Sequence, residues 1–430
     1  MADRLISVAP AHSAVGTSQD SVPIRTQIPR LLQDRLNVKN KSRSNVFNYR
    51  GQFTPEFVEY LLQSLAQPGA LVVDPFSGSG TVLLESARMG LACYGLEINP
   101  AAYAMSKFFS FANDSVSERE TVADALETHI CGLTDRLHDA PLFEPRESFR
   151  DSYANFLDFC SRLFARTEER KERLLAVNVL FLAEGCKSGT VGASVFSSFR
   201  QLKRILLELP FTGLPIHAGL GDARQLDRNC LKPADVILTS PPYINVFNYH
   251  QNFRAVLECL GWNLLKIAQS EIGSNRKNRG NRFRTVVQYC LDMEQAIMSF
   301  WRCLRNDGLM ILVVGRESNV RRVPFYNGQM VSELIEALGA FAPVETYERV
   351  FLNKFGNDIR EDIIIVRKKR AEPRSQVARK IALRNLESAL DRAEGEAAQD
   401  LRDAINEVES VEPSPIFSQE GVFTHAKYTA

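Results

Sequence analysis

The chain has 430 residues, of which 45% are hydrophobic and 24% charged, with a formal net charge of +1. That length leaves room for one large catalytic domain with insertions or appendages. No apolar run approaches the ~18 residues a membrane helix needs and no secretory signal is visible at the N-terminus, so the expectation is a cytoplasmic, globular protein. A charge near zero argues neither for nor against a polyanionic partner, because binding depends on where the charge sits.

Residues 1–45 are rich in Ser, Pro and Gln and turn basic through Arg35, Lys39, Lys41 and Arg43, which predicts a mobile N-terminal arm. From 46 to 368 short β-rich runs alternate with helical periodicity: strand 70–74, helix 81–89, strand 91–97, helix 101–111. This alternation is the mark of βαβ units around a parallel sheet, a doubly wound Rossmann-like α/β domain. Residues from about 114 to 210 carry apolar side chains at 3.6-residue spacing and read as a helical insertion. Strands resume at 235–239 and 309–314, and two β-like runs at 344–351 and 362–367 are placed to form a closing hairpin. Residues 369–430 read as a basic linker followed by a charged amphipathic helix or helix pair over 381–408. The eight cysteines are dispersed, with no Cys-x-x-Cys pair and no histidine at zinc spacing, which predicts reduced thiols and no metal.

The strand 70–74 (ALVVD) runs into Pro75-Phe76-Ser77-Gly78-Ser79-Gly80-Thr81, which opens a helix. Such glycines let the backbone approach a ligand, and the N–H groups of the helix start point at it. The next strand ends in Glu97, where a carboxylate can accept hydrogen bonds from ribose hydroxyls. A dinucleotide and S-adenosylmethionine both suit this geometry. Asp74 at the strand end would repel a pyrophosphate but suits a cationic amino-acid headgroup beside a sulfonium, which favours S-adenosylmethionine.

Strand 235–239 ends in a second loop, Ser240-Pro241-Pro242-Tyr243. Ligands of open α/β sheets bind outside the carboxyl ends of strands, so the two loops should border one crevice. An exocyclic amine of a base is a poor nucleophile because its lone pair is delocalised. The Ser240 hydroxyl and a carbonyl stiffened by two prolines could hold both amine hydrogens and aim the lone pair at a methyl group, while Tyr243 offers a stacking face for an extruded base. No cysteine follows a proline, so the nucleophile of C5-cytosine methylation is missing.

Together these motifs resemble the amino-methyltransferase family of DNA-modification enzymes. The resemblance rests on 74–81, on Gly95-Leu96-Glu97-Ile98-Asn99-Pro100 and on Thr239 to Tyr243. Asn48-Tyr49-Arg50-Gly51-Gln52-Phe53-Thr54-Pro55 and Gly221-Asp222-Ala223 add to it, so that it covers about 45–112 and 220–368. It implies S-adenosylmethionine as cofactor, held by Phe53, Thr54, Asp74, Phe76, Gly78, Gly80, Thr81, Glu97, Ile98, Asp222 and Ala223. Catalysis would fall to Ser240, Pro241, Pro242 and Tyr243. A Ser at the first tetrapeptide position goes mostly with N4-cytosine methylation and an Asp or Asn mostly with N6-adenine, so the expectation is N4 of cytosine in double-stranded DNA. An N6-adenine enzyme, an RNA base methyltransferase and a non-catalytic binding subunit are the alternatives. A cognate restriction endonuclease is the implied partner. Arg276, Lys277, Arg279, Arg282 and Arg284 crowd the loop after the tetrapeptide and are expected to meet the phosphate backbone, and Phe247, Tyr249 and His250 are candidates to line the base pocket.

Overall fold

The computed structural model describes residues 28–39, 41–138, 149–184, 190–230, 232–244, 251–274, 278, 280–353 and 356–423. Nine strands are defined among them: β1 Leu71–Asp74, β2 Ala92–Glu97, β3 Ile216–Leu220, β4 Ala234–Thr239, β5 Leu304–Gly315, β6 Glu317–Val320, β7 Val323–Tyr326, β8 Glu345–Leu352 and β9 Asp358–Arg367. Seven of these form one sheet in the order β3-β2-β1-β4-β5-β9-β8. The strands from β3 to β5 run parallel, and β9 and β8 return antiparallel as the closing hairpin. The order reverses between β1 and β4, which is where an open sheet leaves a crevice at its carboxyl edge.

Both faces of the sheet are covered. Val72, Cys93, Leu238, Ile311 and Ile363 enter one apolar cluster, while their neighbours Val73, Leu96, Ile237, Leu312 and Ile364 enter the other. This follows from the two-residue period of a strand and explains why these runs are almost continuously hydrophobic. The insertion forms four helices, Val116–His138, Phe149–Arg166, Arg170–Glu184 and Val191–Glu208, whose buried residues join the first cluster. The helices Arg284–Cys303, Asn327–Leu338 and Ala378–Ala389 cover the second.

The structure differs from the sequence reading at both ends and at three strands. Residues 1–27 of the predicted arm lie outside the described residues. Residues 28–39 and 41–45 are built into the fold: Leu31 and Leu36 are buried, and the short helix Gln33–Asn37 binds β8 through Arg349 Nε to Leu36 O at 3.2 Å and Val350 N to Asn37 Oδ1 at 2.9 Å. The basic stretch after 368 is no free linker either. Lys369 N donates to Ala340 O and Arg374 N to Leu338 O, each at 2.9 Å, and Glu294 caps the next helix by accepting from Val377 N and Ala378 N, each at 3.1 Å. Strand β3 was missed because Ile216–Leu220 is short and holds His217 and Gly219, and the β6–β7 hairpin lies inside a run with no clean alternation. None of the described helices is long and apolar enough to cross a membrane. The seven described cysteines are all free, Cys186 lies outside the described residues, and no group of three metal-capable side chains occurs among those described.

Candidate active site

The glycine loop leaves β1 at Asp74 and enters the helix Thr81–Arg88 through Gly80 at φ 88°. Gly78 is also left-handed, at φ 50°. A side chain at Gly80 would meet Ser106 Cα and the Phe109 ring at 2.7 Å, so the turn needs glycine for space as well as for conformation. The loop is tied to the next strand by Ser77 N to Leu96 O at 3.0 Å. Glu97, ending β2, accepts from the backbone N–H groups of Gly78 (2.8 Å), Ile98 (2.9 Å) and Asn99 (2.8 Å). Asp74 accepts from the Thr239 hydroxyl at 2.6 Å and from Phe76 N at 3.2 Å. The ends of β1, β2 and β4 are thereby locked into one edge.

These residues border a cleft of about 880 Å³. Burial pushes the Asp74 and Glu97 carboxyls up to about 7 each, against the pull of the hydrogen bonds they accept. Glu271 faces the same cleft and its charge adds to the effect on Glu97. Such an acidic wall suits a cation with hydroxyls to donate, and a protonated carboxyl would lose an acceptor. We therefore expect cofactor affinity to fall as pH drops through 7, by about tenfold between pH 8 and pH 6 for each proton that must leave. Calorimetry at both pH values would read this directly, with a shallower slope in Glu97→Gln; an affinity flat across that range is the contrary result.

Asp222, at the end of the loop after β3, lines the cleft with Gly221 and Ala223. Its oxygens are held from behind: Arg224, whose side chain is fully buried, pairs with Asp222 at 2.6 Å and with Asp292 at 3.0 Å. Arg224 also donates to the carbonyls of Ser270, Ser414 and Pro415. Phe417 N donates to Asp222 at 3.0 Å, and Ser414 donates to Asp292 through both its backbone N–H and its hydroxyl. The segment around 414–417 is thus a strap fastened across the back of the acidic loop.

Ser240 and Pro242 reach the cleft from the end of β4, and Pro241 is buried beneath them. The Tyr243 ring lies over Gly315 at the end of β5, where any Cβ would come within 2.6 Å of it. Its hydroxyl stands 3.5 Å from Ser240 Oγ and donates to Glu361 Oε1 at 3.4 Å. Glu361 is paired with the buried Arg349 at 2.6 Å, and Arg349 also donates to the Thr54 hydroxyl at 3.0 Å.

Of the sequence-predicted cofactor residues, Phe53, Asp74, Phe76, Gly78, Thr81, Glu97, Ile98, Asp222 and Ala223 line the cleft, together with Ser240 and Pro242. Thr54 and Gly80 stand behind the wall, one bonded to Arg349 and the other shaping the turn. Pro241 and Tyr243 do not line it. In the basic loop Arg276, Lys277 and Arg279 lie outside the described residues, as do Phe247, Tyr249 and His250. Arg282 is exposed, whereas Arg284 forms an ion pair with Glu407 of the C-terminal helices. Sequence reasoning missed Thr239 as the partner of Asp74, the wall segment Ser270 to Ile272, and the Arg224 and Arg349 braces. Thr239 alone carried a local signal, since it stands where β4 meets the tetrapeptide.

A DNA methylase family model matches residues 24–108, the span that holds the glycine loop and Glu97. The chain is 36% identical over 69 residues to the type II methyltransferase M.MjaII of Methanocaldococcus jannaschii, covering 16% of this chain and 13% of that protein. It is 22% identical over 280 residues to M.BsoBI of Geobacillus stearothermophilus, covering 54% and 55%. It is 45% identical over 56 residues to M.MvaI of Kocuria varians, covering 13% and 12%. Over these stretches the chain is similar to DNA amino-methyltransferases. It spans about half the length of M.BsoBI and about an eighth of the other two. S-adenosylmethionine is the cofactor that this similarity implies, and the cleft fits it on its own terms. Asp74, Glu97 and Glu271 present carboxylates to a cationic ligand. Ser77 Oγ and Asn99 Nδ2 are buried in the wall with no hydrogen-bond partner among the described residues, which leaves both for a polar ligand.

Proposed function

We propose that this protein is an amino-methyltransferase that methylates N4 of cytosine in double-stranded DNA, in the cytoplasm and alongside a cognate restriction endonuclease. The observation that carries the reading is that Ser240 and Pro242 open into the same cleft as Asp74 and Glu97, so a base amine held by the tetrapeptide meets the cofactor in one enclosure. S-adenosylmethionine, when bound, supplies an electrophilic methyl group. Glu97 serves the ribose hydroxyls, Asp74 the amino-acid end, and Asp222 the adenine side, as the family resemblance implies.

The chain's remaining task is to present the amine. Ser240 Oγ accepts one amine hydrogen and a carbonyl of the proline pair accepts the other, which restores the lone pair out of the ring plane. Tyr243 lies outside the cleft lining with its ring over Gly315, and the base, once extruded past Ser240, would stack on its other face. One proton leaves the amine on methylation and passes to solvent. No covalent intermediate is needed. Ser240 at the head of the tetrapeptide supports cytosine over adenine. To test this, the protein is produced in a host free of DNA methylation, and the host DNA is digested to nucleosides for mass spectrometry. N4-methylcytosine is the expected product. N6-methyladenine would overturn the choice of base, and unmodified DNA from a protein that binds S-adenosylmethionine would overturn the DNA reading.

A further inference from the structure

A second cleft, open and of about 1420 Å³, adjoins the first, and Arg50 lines both. One side of it is the loop before Phe53, through Asn48 and Arg50, and another is the segment from Gln251 to Glu258 that follows the tetrapeptide. The third is the helical insertion, through Tyr153 and Glu184. Its floor is fixed to the insertion. Phe253, held at φ 56°, sets its ring against Phe181 at 4.7 Å, and Cys259 Sγ contacts Leu157 O at 3.3 Å. A left-handed phenylalanine is strained, and such strain persists only where the surroundings over-determine it. Across the cleft the Tyr153 hydroxyl donates to Glu184 at 2.7 Å, joining two insertion helices at its edge.

The composition of this wall decides what it is for. Arg50 and Arg254 face Glu184 and Glu258, and Arg254 is already paired with Glu258 at 2.8 Å, so the formal charges cancel. A phosphate clamp needs excess positive charge. The wall also carries side-chain amides, Asn48, Gln251 and Asn252, and an amide can pair with a base edge in two directions at once. We propose that this cleft is the sequence-reading surface of the enzyme, in which the insertion and the segment 251–258 hold amide side chains against the base edges flanking the target base. The proposal rests on the DNA reading given above. It assigns the insertion a purpose: by anchoring Phe253 it fixes the amides in the cleft that Arg50 joins to the first. Specificity is thereby read beside the site of transfer, while affinity for the backbone is supplied elsewhere.

Asn252→Ala and Asn48→Ala, on two separate segments, test it. Wild type and each variant are produced in the methylation-free host, modified positions are mapped by long-read sequencing of the host DNA, and cofactor affinity is measured by calorimetry on the purified proteins. The expected result is the same modified base and a cofactor Kd within about twofold of wild type. Methylation should spread to sites that differ at one or two fixed positions, with preference for the original site falling at least about tenfold. An unchanged recognition sequence at full extent in both variants overturns the proposal. So does a uniform loss at all sites with intact cofactor binding, which marks a surface that only positions the duplex. Unmodified DNA from wild type removes the DNA reading itself, and the proposal with it, and is told apart because it involves no substitution.

Discussion

Replacing Arg224 with alanine is expected to cost about 3–5 kcal/mol of stability, because it leaves two buried carboxylates facing each other without their cation. The guanidinium is fully buried between Asp222 and Asp292 and also satisfies three carbonyls, so its loss leaves the two carboxylates with only neutral donors, from Phe417 and Ser414, and the carbonyls with none from this residue. Burial already pushes Asp292 up to about 6 with Arg224 in place. The sign of the pH dependence follows. A carboxyl whose folded pKa lies above its unfolded value weighs against folding when ionised and is relieved as pH falls through the folded pKa. Without Arg224 that pKa rises further, so the gap in Tm between wild type and Arg224→Ala should narrow from pH 8 to pH 5.5. Arg224→Lys should restore little, since one ammonium cannot reproduce a fork that reaches two carboxylates and three carbonyls. Thermal melts across that range check this; an equal Tm deficit at every pH would mean that uncompensated charge is not the cause.

The second large effect falls on turnover rather than folding. Ser240→Ala should lower kcat by about 10² to 10³-fold, the usual cost of removing one polar group that acts in the transition state, while cofactor affinity stays near that of wild type. Tyr243→Ala should raise the KM for DNA, since base stacking on an aromatic ring is worth about 1–3 kcal/mol, and Tyr243→Phe should recover most of that loss. Steady-state kinetics with cofactor binding measured alongside separates the two roles. A Ser240→Ala enzyme with wild-type kcat would remove the serine from the chemistry. If Tyr243→Phe were as damaged as Tyr243→Ala, the hydroxyl and its contact with Glu361 would carry the role instead of the ring.

Local features of the chain announced most of the sheet and of the cleft. The run at 70–74 became β1, Asp74 and Glu97 stand at strand ends as expected, and the tetrapeptide leaves β4 beside them. Each of these depends on neighbours within a few residues, where β-propensity, glycine conformations and proline stiffness act. The braces were invisible for the opposite reason. Arg224 meets Ser414 across 190 residues and Arg349 meets Leu36 across 313, and no local pattern distinguishes an arginine bound for such a partner from one on the surface. The same blindness made residues 1–45 read as an arm throughout. Its polar composition was read correctly, but the burial of Leu31 and Leu36 depends on a strand that lies at the far end of the domain sequence.

The strap also makes the acidic loop depend on the far end of the described chain. The bond from Phe417 to Asp222 closes a loop of 195 residues, whereas the glycine loop and Glu97 come together over 19. Loop-closure entropy makes the longer loop cost about 2 kcal/mol more to close than the shorter, so opening the strap recovers more chain freedom than opening the glycine loop. A ligand that touches Asp222 in the finished cleft should therefore slow the release of the strap, and limited proteolysis at 411–423 with and without S-adenosylmethionine checks this.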